Sequence, residues 1–418
     1  MRLWNRRSRR SAVLLGVTLC AVLAGTLSAA PAPEAQAAPA AAAVDPFYTP
    51  PSPLPDGEPG DVIRAERTSV FLDPAHLLSP PVDAWRVMYL SESGTGERVA
   101  VTGTLLVPRA PWLGRGERPL LSYAVGSHGM GPQCMPSAQF HAGTQYEFAL
   151  INVWLLVGWA VFVTDYEHVG TSGHEVYVNS RSAGQSMLDG ARAATGVAGS
   201  GIDDSNPLAI TGYSQGGNAA AAAAERQPSY APDLDLKAVA AGGVPADLRA
   251  TASAVDRDVL AGTLPMTVGS LAAVYPELTL DGFNATGRAA VAEVKSQCIA
   301  ETSTRWAFHS STELTEGGKT IDEFLDDNAD WAKRVEEQRI GRLEPGVPVL
   351  LYHGALDPWV PYAVGKRLAD DWRAQGADVT FTTYPIAEHF GGLGEAIPQV
   401  QTWLLAKTTG SAKVARAG

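Results

Sequence analysis

The 418-residue chain is 45% hydrophobic and 18% charged, an ordinary globular composition with ample length for a large core. Its 44 acidic residues outweigh 32 basic ones, for a net charge of −12. That balance argues against electrostatic binding to nucleic acid or to an anionic membrane. The N-terminus runs the other way. Arg2, Arg6, Arg7, Arg9 and Arg10 precede an apolar run from Ala12 to Leu27, and small residues follow. Charged start, apolar middle and small-residue end predict a secretory signal peptide over residues 1–37, cleaved after Ala37 or near Leu27–Ala30, and so an extracellular protein. The run is too short for a membrane span. Ser8-Arg9-Arg10 hints at a twin-arginine signal, but the residues after it fit that pattern poorly. Cleavage after Ala37 removes five arginines and one glutamate, so the net charge becomes −16. Two cysteines remain, Cys134 and Cys298. In an oxidising compartment two cysteines suggest a disulfide, with two buried free thiols as the alternative.

Residues 38–60 are rich in Ala and Pro and read as a flexible lead-in. Structure begins near Val62. Residues 84–91 and 98–107 read as two strands around a Ser93-Gly94-Thr95-Gly96 turn, an antiparallel hairpin. Residues 119–125 form an apolar run typical of a buried parallel strand. It ends in the glycine-rich loop Gly126-Ser127-His128-Gly129-Met130-Gly131, which exposes peptide N–H groups at a strand's C-terminal end. His128 there reads as a support for the loop. Residues 155–164, containing Trp159, read as another buried strand ending in Asp165-Tyr166-Glu167-His168. Asp165, Glu167, His168 and His174 match no metal-ligand spacing and read as residues that shape a cleft. A helix over about 186–198 follows.

Leu208-Ala209-Ile210-Thr211 then leads into Gly212-Tyr213-Ser214-Gln215-Gly216-Gly217, and Ala219 to Ala224 continue as a strong helix former. In a chain with 42 glycines the G-x-S-x-G pattern is weak by itself. A strand before it and a helix after it supply the context of a nucleophile elbow. After the strand over 236–242 the alternation stops. Residues 247–342 carry helical patterns only, including a Thr320-x-x-Glu323 capping box that opens a helix to Ile340. So long an insertion exceeds a single crossover and reads as a cap. The sheet resumes at 347–353, followed by Asp357 in a loop, a helix over 362–375, a strand over 378–384, and His389 on the next loop. A last helix spans about 393–405. The division is therefore core at 61–246 and 343–407, cap at 247–342, and a loose tail at 408–418.

Ser214, Asp357 and His389 stand in the chain order of a Ser-Asp-His triad. A histidine within reach takes the serine's proton, and a buried aspartate fixes that histidine's tautomer. Backbone N–H groups of Gln215 and of His128-Gly129 are the expected oxyanion donors. His353 is the runner-up base, less favoured because it ends the strand that leads to Asp357. Asp322, Asp326, Asp327 and Asp330 crowd a surface helix and are set aside as the acid.

The chain resembles the secretory lipases (the yeast lipase A-like family) within the α/β-hydrolases. The marks are Ser122-Tyr123 before the glycine loop, Cys134-Met135-Pro136-Ser137, the elbow, Leu271 to Leu278, and the segments around Asp357 and His389. The resemblance implies an α/β-hydrolase core with an inserted helical lid. It implies a bridge from Cys134 to Cys298 in the cap, a cap that gates an acyl-binding tunnel, an oxyanion donor at His128, and carboxylic ester substrates, often triacylglycerols. Met135 replaces the family's usual alanine. Lipid or small ester substrates are thus expected, with transient contact to a lipid interface and no nucleic acid partner. No phosphate loop, nicotinamide fingerprint or zinc signature is present, so no cofactor or metal is implied. The alternatives are an acyltransferase or peptidase on the same fold, and a non-catalytic binding module.

Overall fold

A computed structural model describes residues 45–409. The proposed signal peptide and most of the proposed tail lie outside the described residues.

Nine strands form a mixed sheet: β1 Val62–Arg67, β2 Val82–Glu92, β3 Arg98–Pro108, β4 Leu120–Ala124, β5 Ala160–Thr164, β6 Leu208–Tyr213, β7 Leu236–Gly242, β8 Val349–Gly354 and β9 Val379–Tyr384. Their order across the sheet is β1-β2-β3-β5-β4-β6-β7-β8-β9. The first three strands and β5 pair antiparallel, with β2 and β3 forming the expected hairpin. From β5 to β9 every pairing is parallel. The central strands β4, β5 and β6 are buried along their whole length, which is why they read as continuous apolar runs.

Helices Ser180–Thr195 and Gln215–Tyr230 cover the sheet and pack closely on each other. Where they come closest, Gly184 faces Ala222 and Ala223. A Cβ on Gly184 would lie 2.8 Å from the Ala222 carbonyl carbon, so larger residues could not be accommodated there. Between β7 and β8 the described chain contains helices and no named strand, from Leu248–Val255 to Ala329–Glu337. This insert has its own apolar cluster around Phe283, Phe324 and Trp331.

Several boundaries differ from expectation. The run read as a strand from residue 155 is first a helix, Phe148–Leu156, and the strand starts only at Ala160. Both segments are apolar, and periodicity alone does not separate them. The helix expected at 186–198 starts at Ser180, capped by Asn179. The single helix expected from Thr320 is two, broken at Asn328, although the Thr320–Glu323 capping box forms as read. The lead-in, from residue 45 onward, is not loose: Phe47 and Tyr48 are buried, and the Tyr48 hydroxyl lies 2.8 Å from Ser137 Oγ.

Candidate active site

Ser214 stands between β6 and helix Gln215–Tyr230 with φ 59° and ψ −121°. A non-glycine residue at positive φ is held there by its surroundings. Here the clamp is steric. A Cβ on Gly212 would come within 2.2 Å of the Gly216 carbonyl oxygen, and one on Gly216 within 2.0 Å of the Ala124 oxygen. Glycine on both sides lets helix and sheet close up, and the turn carries Ser214 at its apex. The Ser214 peptide N–H is anchored to the Gly242 carbonyl at 3.0 Å.

His389 Nδ1 meets Asp357 Oδ2 at 2.6 Å. The other carboxylate oxygen accepts from the peptide N–H groups of Trp359 (3.0 Å) and Val360 (2.9 Å). Burial alone would push this carboxyl up. Hydrogen bonds from His353 and His389, with the Val360 N–H, overcome that and hold it well below the usual carboxylate range. His353 is therefore a neighbour of the acid. Its Nε2 lies 3.5 Å from Asp357 Oδ2 and is bonded to the Val360 carbonyl at 2.9 Å.

The expected loop around His389 is instead the first turn of the last helix, His389–Thr408, capped by Glu388. The Tyr213 hydroxyl donates to the His389 carbonyl at 2.6 Å, and its ring lies 4.9 Å from the imidazole. Trp359 also packs edge-on against the imidazole, at 5.0 Å between ring centres. Because Tyr213 directly precedes Ser214, these contacts bring the imidazole to the elbow.

The glycine loop after β4 is held from several directions. His128 uses both ring nitrogens within the scaffold, Nδ1 to the Gly126 carbonyl (2.8 Å) and Nε2 to Gln145 (2.7 Å). Glu147 accepts from the Gly126 N–H and the Tyr123 hydroxyl. From the insert, Ile299 N–H donates to the His128 carbonyl and Met130 N–H to that of Gln297. A disulfide joins Cys134 to Cys298 at the same place, with a Cα separation of 5.4 Å. Among the described residues nothing takes up the peptide N–H of His128, Gly129 or Gln215.

A small cavity of about 70 Å³ opens beside Ser214, Gln215 and Trp359. Its far wall comes from the insert: Leu248, Val255 and Leu264. The residues weighed as metal ligands are dispersed. Asp165 accepts from Ser137 and Thr102, Glu167 from Ser182, and His168 faces the Gly173 carbonyl. Trp359 and Glu175 escaped the sequence reading. A tryptophan two residues after the acid could have marked the first; the second gave no local signal.

The sheet and its helices form an α/β-hydrolase fold. Candida antarctica lipase A in its closed state superposes with a TM-score of 0.78 at 22% identity, covering 88% of this chain and 86% of that one. The rice cell wall degrading esterase LipA of Xanthomonas oryzae superposes with a TM-score of 0.69 at 19% identity, over 84% of this chain and all of the other (100%). The secretory lipase family model matches residues 135–415, and the chain belongs to that family. A Mycobacterium tuberculosis protein named "probable inactive lipase" is 30% identical over 384 residues, 88% of this chain and 82% of its own. A secreted triacylglycerol lipase of Malassezia furfur is 27% identical over 358 residues, 81% of this chain and 70% of its own.

Proposed function

We propose that the chain is a secreted serine hydrolase that cleaves carboxylic esters of lipids through an acyl-enzyme on Ser214. The observation that carries this reading is the 2.6 Å bond between His389 and buried Asp357, with His389 tied through its carbonyl to Tyr213, the residue before the positive-φ Ser214. With Nδ1 engaged by Asp357, Nε2 is the nitrogen free to take the Ser214 proton. Serine Oγ attacks the ester carbonyl, and the oxyanion is met by the N–H of Gln215 and those of His128-Gly129. The helix beginning at Gln215 adds its positive end. His389 then returns the proton to the departing alkoxide, and the alcohol leaves. Water, deprotonated by the same imidazole, attacks the acyl-enzyme and releases the acid.

Family membership supports lipase or esterase chemistry. The apolar cavity wall suits an acyl chain. Leu356, Ile386 and Phe390, 62%, 82% and 62% exposed, flank the acid and the base and suit brief contact with a lipid surface. The leader pattern and the secretory lipase family support secretion.

The test is hydrolysis of p-nitrophenyl esters from acetate to palmitate by wild type and Ser214→Ala. Wild-type activity that disappears in the variant supports the reading. An inactive wild type overturns it and favours a silent fold, the reading that the inactive relative's name suggests.

A further inference from the structure

Glu175 lies in the segment between β5 and helix Ser180–Thr195, and it is 3% exposed. Its peptide N–H donates to the Met130 carbonyl at 2.9 Å, so it is tied to the glycine loop. Its carboxyl accepts from the side-chain amide of Gln215. A single residue thus touches both walls from which oxyanion donors are expected: the loop carrying His128-Gly129, and the first residue of the elbow helix.

We propose that Glu175 is a positioning residue that sets the Gln215 peptide against the glycine loop, and that it does so as an uncharged acid. The proposal rests on Ser214 being the nucleophile. Two observations support it. The Gln215 side chain is itself buried, so without Glu175 its amide N–H would have lost its partner. Burial pushes the Glu175 carboxyl up to about 8, opposed by the Gln215 bond and reinforced by Asp165. The groups that face it are Asp165 and the phenols of Tyr146, Tyr166 and Tyr177. Near neutral pH the acid keeps its proton and orders the wall without adding charge. Above pH 8 it ionises, and a carboxylate beneath the developing oxyanion opposes the same charge in the transition state.

The experiment compares wild type, Glu175→Gln and Glu175→Ala by two readouts between pH 6 and pH 10. The first is kcat and KM for p-nitrophenyl butyrate. The second is the rate of Ser214 phosphonylation by a p-nitrophenyl alkylphosphonate, which needs no turnover. The wild-type rate is expected to fall by about tenfold above pH 8. Glu175→Gln keeps the neutral rate within about threefold and loses that fall. Glu175→Ala lowers kcat by about tenfold to a hundredfold with little change in KM, less than or similar to the loss of an oxyanion donor. If Glu175→Ala does not fold, the Glu175→Gln profile decides alone. An alanine variant equal to wild type, or one alkaline profile shared by wild type and Glu175→Gln, overturns the assignment. A wild type that reacts with the phosphonate but cleaves no ester removes the ester reading and leaves this comparison intact. A wild type inert to both removes both.

Discussion

At the residue scale the acid is the most constrained member of the site. The Asp357 side chain is fully buried and is met by two peptide N–H groups and two imidazoles. Its pKa is depressed, so it contributes stability above the ordinary carboxylate range and loses it only as pH falls through the lowered value. The rate profile is therefore expected to show no proton uptake by Asp357 near pH 4. Asp357→Asn keeps the volume but offers its amide in place of a carboxylate. It is expected to lower kcat by about four orders of magnitude with KM little changed, as steady-state kinetics on a soluble ester would show. His353→Ala is a different case. It opens a buried space and leaves the Val360 carbonyl without its partner. A loss of about 2–3 kcal/mol in denaturant unfolding is expected, with catalysis reduced far less than by the change at Asp357. A loss in His353→Ala as large as that in His389→Ala would reverse the roles of the two histidines.

At the element scale, strand, turn and helix around Ser214 were legible because local sequence sets them. Glycines flank the serine, β-formers precede it and alanines follow it, and the steric clamp at Gly212 and Gly216 gives that pattern its physical cause. Gly216→Ala drives a methyl into the Ala124 carbonyl, so its thermal unfolding is expected well below wild type, with esterase activity lost. The strands before Ser214, Asp357 and His389 were legible too, and each of the three residues follows the C-terminal end of a parallel strand. The helix before β5 was not, because two adjacent apolar segments carry no contrast of period between strand and helix. Trp359 and Glu175 were hidden for another reason. What they do depends on partners far away in sequence, such as Asp258 in the insert, which accepts from the Trp359 indole at 2.6 Å, and Gln215. The strap from Gln297 to Ile299 belongs to the same class. It holds the glycine loop through backbone bonds, and the disulfide secures it across 164 residues. Reduction of that bond is expected to cost up to about 5 kcal/mol on the chain-entropy account and to lower the thermal midpoint. Unchanged thermal unfolding under reductant would show that the strap holds without it.

At the scale of the whole molecule, charge and burial pull against each other. The chain is strongly acidic, yet several carboxyls lie inside it away from cations. Burial pushes Glu167 up to about 7, with hydrogen bonds from Ser182 and the Gly94 N–H opposing, and Glu175 reaches about 8. Both values are raised above those of the unfolded chain. Their contribution is therefore fully present below about pH 4.5 and is lost as pH rises through 7 and 8. Two histidines act in the opposite sense. Burial pulls His168 down to about 4 and lowers His174, so folding keeps them neutral and loses stability once the unfolded chain protonates them below about 6.5. Surface carboxylates are ionised throughout this range and supply a nearly constant background. Stability should then fall from pH 6.5 to pH 8.5 as the interior acids ionise, with a thermal midpoint on the order of 5 °C higher at pH 6.5. Glu167→Gln keeps an acceptor for Ser182 and removes one titration. Its midpoint should lie above that of wild type at both pH values, slightly more so at 8.5, because at either pH the unfolded chain's Glu167 is already ionised. Scanning calorimetry of both proteins at the two pH values decides the matter. A midpoint that stays flat or rises between pH 6.5 and 8.5 in wild type would mean that the interior acids are hydrated or paired strongly enough to ionise without cost.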